Sequence, residues 1–150
     1  RAAAAAGAGR PRVAFLEWLD PPMGPGSWIP ELIERAGGTP VLGRAGEHAA
    51  WTDLDALAAL DPDVLVLAPC GFDRARTRSE LGPLLDDPRW RALRAVREGR
   101  VALADGFLHM SRPGPRIAES LEILAELLHP GADGLAFGWR GRGFEPLLPI

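Results

Sequence analysis

The chain has 150 residues, of which 47% are hydrophobic and 25% are charged, and its formal net charge is -3. This length suits one domain with a buried core. The slightly acidic balance argues against a nucleic-acid-binding surface, which needs a basic face. The sequence has no apolar run of about 18 residues, the length that a membrane span requires. Cys70 is the only cysteine, which excludes an internal disulfide.

Short apolar runs alternate with amphipathic segments along the chain. The apolar runs predict strands at 13–16, 39–42, 64–67 and 101–104. Helical spacing of apolar residues predicts helices at 28–36, from Asp53 onwards, and at 74–85, 88–98 and 113–128. This alternation predicts an α/β fold: a Rossmann-like, three-layer αβα sandwich with a parallel sheet of about four strands in the order 2-1-3-4.

The ends of the chain differ in composition from its middle. Residues 1–11 are rich in alanine, and we expect the end of a helix or a flexible lead there. Residues 12–130 contain all the predicted strands and helices of the α/β unit. Residues 131–150 form a tail rich in glycine and proline, which we expect to pack on the surface.

Three loops follow the first, third and fourth predicted strands, at 17–27, 69–73 and 105–112. The first contains so many prolines and glycines that we expect it to be irregular. Parallel strands end at the same edge of a sheet, so the loops should converge where ligands bind in open α/β folds. Their large apolar side chains are Trp18, Met23, Phe72, Phe107 and Met110, and their charged ones are Glu17, Asp20, Asp73 and Arg112. This combination suits a large, partly apolar ligand, but aromatic residues that only close the sheet edge would give the same pattern.

No catalytic or metal-binding motif accompanies these loops. Cys70 stands between a strand and a predicted helix, a position open to a nucleophile. However, the three histidines lie in other segments with no motif linking them, so a passive small residue is favoured. No His or Cys pair has metal-ligand spacing, and neither a G-x-G-x-x-G loop nor a Walker lysine is present. We therefore expect no metal and no cofactor. Arg112 and Arg116 are candidate ligand contacts, with a solvent-exposed or helix-capping arginine as the alternative.

Four segments together resemble a known family. They are EWLDPP after the first strand, GSWIPELIERAGG, LDPDVLVLAPCGFD and DGFLHMSRPGPRIAESLEILAELLHP. Their sequence and order resemble the cobalamin-binding and siderophore-binding group of ABC-transporter substrate-binding proteins, and the cobalamin-binding subset is the more similar. Proteins of this group have two α/β lobes joined by one long helix and hold the ligand in the cleft between them. The resemblance covers residues 10–130 and implies a C-terminal lobe, preceded by the end of the connecting helix, with the N-terminal lobe missing.

The resemblance also implies a function and the residues that perform it. The protein would be extracytoplasmic and would carry a corrinoid such as cobalamin, as transported ligand rather than cofactor, to an ABC-transporter permease. The implied ligand contacts are Trp18, the turn Cys70-Gly71-Phe72 and the loop from Phe107 through Met110 to Arg112; Met23 adds apolar surface. An acidic residue near a helix start docks on arginines of the permease in this group, and the matching position is Asp55, where the group favours glutamate.

Two alternatives stay open. The same fold could bind a ferric siderophore or haem instead of a corrinoid. A flavodoxin-like enzyme that uses Cys70 or Asp73 belongs to a different class, and the lack of a base near Cys70 and of a phosphate loop argues against it. The main prediction is a binding lobe without catalytic activity.

Overall fold

The computed structural model describes residues 9–147 and confirms the predicted three-layer α/β architecture. Its strands are β1 (Arg12–Leu16), β2 (Trp18–Leu19), β3 (Pro22–Met23), β4 (Thr39–Pro40), β5 (Val64–Leu67), β6 (Val101–Ala104) and β7 (Phe144–Pro146). Its helices are α1 (Ile29–Arg35), α2 (Leu54–Leu60), α3 (Arg74–Ser79), α4 (Gly82–Asp86), α5 (Pro88–Ala92), α6 (Arg94–Arg97) and α7 (Ile117–Leu128), with a π-helix at Gly106–Met110. Over this range, no helix has the length and apolar character to cross a membrane. The expectation for residues 1–8 lies outside the described part of the chain.

One sheet with the strand order β4-β1-β5-β6-β7 lies at the centre of the fold. β1 pairs in parallel with β4 and β5, and β5 pairs in parallel with β6, in the registers Val13↔Val64 and Leu65↔Val101. The predicted order 2-1-3-4 is therefore confirmed. β5, with the sequence VLVL, is buried throughout and lies in the middle, as a continuous apolar strand covered on both faces should.

Helices cover both faces of the sheet because successive side chains of a strand point to opposite faces. Val13 and Phe15 of β1 belong to one apolar core together with residues of α1 and α7. Ala14 and Leu16 belong to a second core, which includes residues of α2, α4 and α5. The loops at the carboxyl edge of the sheet therefore stand on two packed layers.

The loop that follows β1 is more regular than its prolines and glycines predict. It contains an antiparallel hairpin, β2–β3, in which Trp18 pairs with Met23. The N–H of Glu17 donates to the carbonyl of Met23 at 2.9 Å, and the peptide between Asp20 and Pro21, at the turn, is cis. The expectation of an irregular segment over 17–27 holds for 24–27 and is wrong for the hairpin at 18–23. Strands of two residues need few backbone hydrogen bonds, and the prolines occupy positions that need not donate one.

The predicted helical stretches at 74–85 and 88–98 form, but they are divided into four short helices. The side chains of Asp73 and Asp87 accept hydrogen bonds from backbone N–H groups and so cap the starts of α3 and α5. Pro83 and Pro88 lie in the first turns of α4 and α5, since proline suits a helix start and disrupts an interior. α7 begins at Ile117 instead of residue 113, beyond the last proline of this segment.

Two further departures lie near the C-terminus. The segment 105–112, expected to be a loop, contains the π-helix Gly106–Met110. The tail adds a strand, because β7 pairs antiparallel with β6 and places Phe144 opposite Ala104. Leu135, Phe144 and Leu147 are buried. The expectation that the tail only packs on the surface is therefore wrong for its last part.

Candidate functional site

Backbone hydrogen bonds join the three loops at the carboxyl edge of the sheet. The N–H of Cys70 donates to the carbonyl of Glu17 at 2.9 Å and links the second loop to the first. The N–H of Phe107 donates to the carbonyl of Phe72, also at 2.9 Å, and links the third loop to the second. The hydroxyl of Ser111 accepts from the N–H of Gly71 at 3.2 Å. The predicted convergence of the loops is therefore present.

Aromatic side chains from each loop form the rim of this edge. The ring centroids of Trp18 and Phe72 lie 5.3 Å apart at an interplanar angle of 59°, a tilted arrangement that aromatic pairs favour. Phe107 is 48% exposed, so much of its ring is free. The guanidinium groups of Arg76 and Arg112 lie over the rings of Phe72 and Phe107, at 4.6 and 5.6 Å from the centroids. The rim therefore combines free aromatic surface with cationic groups.

A small cleft of about 70 Å³ opens between the loops. The side chains or backbone that line it belong to Phe15, Glu17, Gly26, Ser27, Trp28, Ala68, Cys70, Met110 and Ser111. Pockets for drug-sized ligands have volumes of about 300–1,000 Å³. This cleft therefore does not enclose a large ligand by itself and offers one wall with a shallow recess.

The predicted site residues differ in how far they reach the surface. Cys70 and Gly71 are exposed, and Gly71 has a φ of 77°, the left-handed region that favours glycine. Met110 is only 2% exposed and belongs to the core, so it contributes the floor of the cleft. Met23 is half-buried in β3, and its backbone bridges to Trp51.

Seven of the nine residues that line the cleft were not named individually as ligand contacts, and Glu17, Trp28 and Ser111 are among them. The sequence placed Glu17 and the loop that contains Ser111 at this edge, but it did not single out Ser111 or Trp28, and the folded geometry brings the three residues to one cleft. Burial raises the pKa of Glu17, and the hydrogen bond from the N–H of Gly26, at 3.3 Å, opposes that rise. A partly desolvated carboxyl group therefore faces the recess.

Asp55 lies beside the same edge but outside the cleft. It occupies the first turn of α2, whose N-cap Asp53 accepts from the N–H of Ala56 at 2.7 Å. The N–H of Thr52, just before this helix, donates to the carbonyl of Pro22 in the hairpin. The Asp55 side chain is 77% exposed and lies 3.2 Å from a guanidinium nitrogen of Arg89. Asp55 is therefore accessible to a partner, with one intramolecular cation already near it.

The arrangement around Cys70 and Asp73 does not form a catalytic pair. The ring of His109 packs on Trp139 and lies near Glu119, and the Asp73 carboxylate caps α3 through the N–H of Arg76. Across residues 9–147, no group of three His, Cys, Asp or Glu side chains could hold a metal ion. The geometry of the edge therefore suits binding through apolar and aromatic surface.

Solved structures of transport proteins share this fold. An ABC-transporter substrate-binding protein from Listeria monocytogenes has a TM-score of 0.73 and 19% identity, covering 85% of this chain and 51% of its own. A periplasmic heme-binding protein from Pseudomonas aeruginosa has a TM-score of 0.68 and 27% identity, and the match covers 87% of this chain and 47% of that protein. The periplasmic vitamin B12-binding protein of Vibrio cholerae has a TM-score of 0.61 and 18% identity, and the match covers 83% of this chain and 46% of that protein. The chain spans about half the length of these proteins.

The family of the chain follows from its sequence. A search of curated proteins found no match. A sequence model described as "Periplasmic binding protein" matches residues 1–106 of the 150. Such proteins bind solutes without catalysing a reaction, so the prediction that the chain is not an enzyme is confirmed and the flavodoxin-like alternative is set aside. This chain belongs to the periplasmic binding protein family.

Proposed function

We propose that this chain forms one lobe of an extracytoplasmic solute-binding protein that delivers a flat tetrapyrrole, in the first instance a corrinoid, to an ABC importer. The observation that carries this proposal is the aromatic rim. Trp18 and Phe72 are in ring contact, and the half-exposed Phe107 is joined to Phe72 through the backbone. Exposed aromatic surface flanked by two guanidinium groups matches the face and the substituents of a macrocycle better than it matches a small polar solute.

The shallow recess supports a ligand shared between two lobes. A cleft of about 70 Å³ accepts an edge or a substituent of a tetrapyrrole, and the remaining surface of the ligand needs a second wall. An N-terminal lobe would supply that wall. The chain's coverage of about half of each similar structure agrees with this arrangement.

Haem is the second candidate, and two observations favour it over other chelates. The periplasmic heme-binding protein of Pseudomonas aeruginosa has the highest identity of the three structures compared above, at 27%. In addition, Arg112 is exposed beside Phe107 at the rim. A guanidinium group suits the carboxylates of haem, whereas the corrin ring carries neutral amides.

The permease is the proposed partner of Asp55. Its exposed carboxylate, in the first turn of α2, can accept a bidentate hydrogen bond from a permease arginine. The neighbouring Arg89 also hydrogen-bonds to Asp87. Docking at Asp55 therefore needs only one of the two ion pairs of Arg89 to open.

Calorimetric titration tests the proposal with the full-length protein that contains this chain. Cyanocobalamin and haemin are titrated separately, and a ferric siderophore serves as a chelate that is not a tetrapyrrole. Saturable binding of cyanocobalamin supports the first assignment, and binding of haemin alone supports the second. Binding of the siderophore alone, or of none of the three, would refute the tetrapyrrole proposal. The 150-residue chain is the matched control, and it should bind far more weakly because it lacks one wall of the cleft.

A further inference from the structure

The π-helix at the end of β6 connects the rim of the site with the interior. The backbone N–H groups of His109 and Met110 both donate to the carbonyl of Asp105 at 3.2 Å, and the Asp105 side chain accepts from the N–H of Leu108 at 2.7 Å. Phe107 points to the surface, whereas His109 is 7% exposed. A movement of His109 would therefore be transmitted to Phe107, two residues away in the same turn.

His109 is held by contacts from two other elements. Its Nδ1 lies 3.3 Å from Oε2 of Glu119 in α7, close enough for an ion pair but out of alignment for a hydrogen bond. Its carbonyl accepts a hydrogen bond of 2.5 Å from the hydroxyl of Ser120. Its ring meets the ring of Trp139 nearly edge-on, with the centroids 5.3 Å apart. The tail residue Trp139 therefore forms one wall of the His109 environment.

Trp139 is in turn anchored to α7 by two carboxylates. Its indole N–H donates to Glu122 at 2.9 Å, and its backbone N–H donates to Glu126 at 3.0 Å. Glu126 also accepts from the N–H groups of Phe137 and Arg140 at 2.9 and 3.1 Å. One carboxylate thus gathers three backbone donors of the tail, and such charge-assisted hydrogen bonds are stronger than neutral ones.

The same tail segment reaches the start of the π-helix directly. The carbonyl of Gly143 accepts from the N–H of Asp105 at 3.0 Å. A Cβ atom at Gly143 would lie 2.5 Å from Cδ1 of Ile123 in α7, so any larger residue there would have to displace the Ile123 side chain. Residues 137–143 therefore contact the π-helix at Asp105 and at His109.

We propose that residues 137–143, the C-terminal clasp, position Phe107 for ligand contact, with Trp139 as the positioning residue that acts through His109. The role of Phe107 in ligand contact rests on the proposed function. The contacts between the clasp and the π-helix are independent of that function. The clasp lies beyond residues 1–106, so the family match does not account for it.

The charges around His109 add a pH-dependent signature. Asp105 of its own segment, Arg116 and Glu119 at the start of α7 and Arg142 of the clasp act on it. Burial is the main cause that lowers the pKa of His109, so the packed arrangement favours the neutral ring. Protonation as the pH falls below the ordinary histidine value should weaken the contact with Trp139 and loosen the π-helix.

Amide hydrogen exchange of the 150-residue chain tests the positioning role without a ligand. In Trp139→Leu, the amides of 108–111 should exchange about two- to tenfold faster relative to those of β5, because an aromatic pair is lost. Trp139→Phe keeps a ring against His109 and should restore most of the protection. Leu135→Ala is the matched control: it also removes a buried tail side chain, but one outside the clasp, and it should not change exchange at 108–111 selectively. Unchanged exchange at 108–111 in Trp139→Leu would overturn the proposal. If Trp139→Leu does not fold, His109→Gln replaces it, and wild-type protection at 108–111 in that variant would overturn the proposal.

The second readout is the ligand affinity of the full-length protein, measured as a function of pH. The ligand is cyanocobalamin or haemin, according to which of them binds. Wild-type affinity should fall as the pH drops below the ordinary histidine value, and His109→Gln should reduce this fall. Identical pH profiles for the two proteins would overturn the role of His109. If the wild type binds neither probe, the proposed function fails, while the exchange experiment still decides whether the clasp holds the π-helix.

Discussion

Removing the Trp18 ring separates a binding role from a structural one. Trp18 is half-buried and contacts Phe72 on one side, so part of its ring is free for a ligand. If a flat ligand covers about 100 Å² of that ring, the contact contributes about 2.5 kcal/mol at about 25 cal/mol/Å². Trp18→Ala should therefore weaken binding by roughly ten- to a hundredfold. The contact with Phe72 exists with or without ligand, so its loss should lower the free energy of unfolding by about 1 kcal/mol.

Calorimetric titration of cyanocobalamin and haemin into the full-length protein gives the affinity, and urea denaturation gives the free energy of unfolding. Trp18→Phe is the conservative control, because a smaller ring keeps part of the contact with Phe72 and part of the free surface. Its affinity should lie between those of the wild type and Trp18→Ala. A Trp18→Ala protein that loses stability but keeps wild-type affinity would show that Trp18 only supports the sheet edge, and would refute the reasoning.

Three further predictions concern docking, pH and packing. Asp55→Arg should weaken association with the permease, measured by pull-down, without changing ligand affinity, measured by titration. The control Glu98→Arg, at the amino end of β6, should leave both permease association and ligand affinity unchanged. Equal loss of permease association and ligand affinity in Asp55→Arg would indicate misfolding. The pKa of Glu17 is raised on folding, so its ionised form lowers the free energy of unfolding at neutral pH. This loss of stability disappears as the pH falls through the raised pKa to the ordinary pKa of glutamate. Glu17→Gln should therefore be more stable than wild type to urea at pH 7 and no more stable near about pH 4; an equal gain at both pH values would contradict this assignment. In Gly38→Ala, the new Cβ would lie 2.9 Å from side-chain carbons of both Leu128 and Val13, so urea denaturation should show a loss of about 1–3 kcal/mol, and no loss would mean that the core adjusts freely.

The central strands could be predicted because their sequences leave little choice. β5 is four apolar residues with Asp63 before it and Pro69 soon after it, and a run of this kind fits only a strand covered on both faces. The helix start at Asp53 follows from the same local chemistry, since its carboxylate accepts from the N–H of Ala56. The convergence of the three loops then follows from parallel strand order.

The features that escaped prediction depend on partners distant in the sequence. β7 contains only FEP, which has no alternating pattern, and it becomes a strand because β6 offers it a free edge. The π-helix is set by Asp105 accepting two backbone N–H groups and by the clasp that packs on His109, more than 25 residues away. The loop 105–112 was predicted to lie at this edge, but that turn decides that Ser111 lines the cleft. Sequence periodicity carries no signal for such contacts.

The antiparallel strand β7 also bears on how this domain can be shortened. β6 is a four-residue apolar strand, and without β7 its outer N–H and C=O groups would be unpaired along an open sheet edge. An exposed apolar edge of this kind is a template for intermolecular strand addition. The ion pairs from Arg74 and Arg78 to Glu145 fasten β7 to α3 and keep that edge closed. A truncation at residue 130, where the sequence resemblance ends, would therefore leave an open apolar edge that favours self-association of the domain.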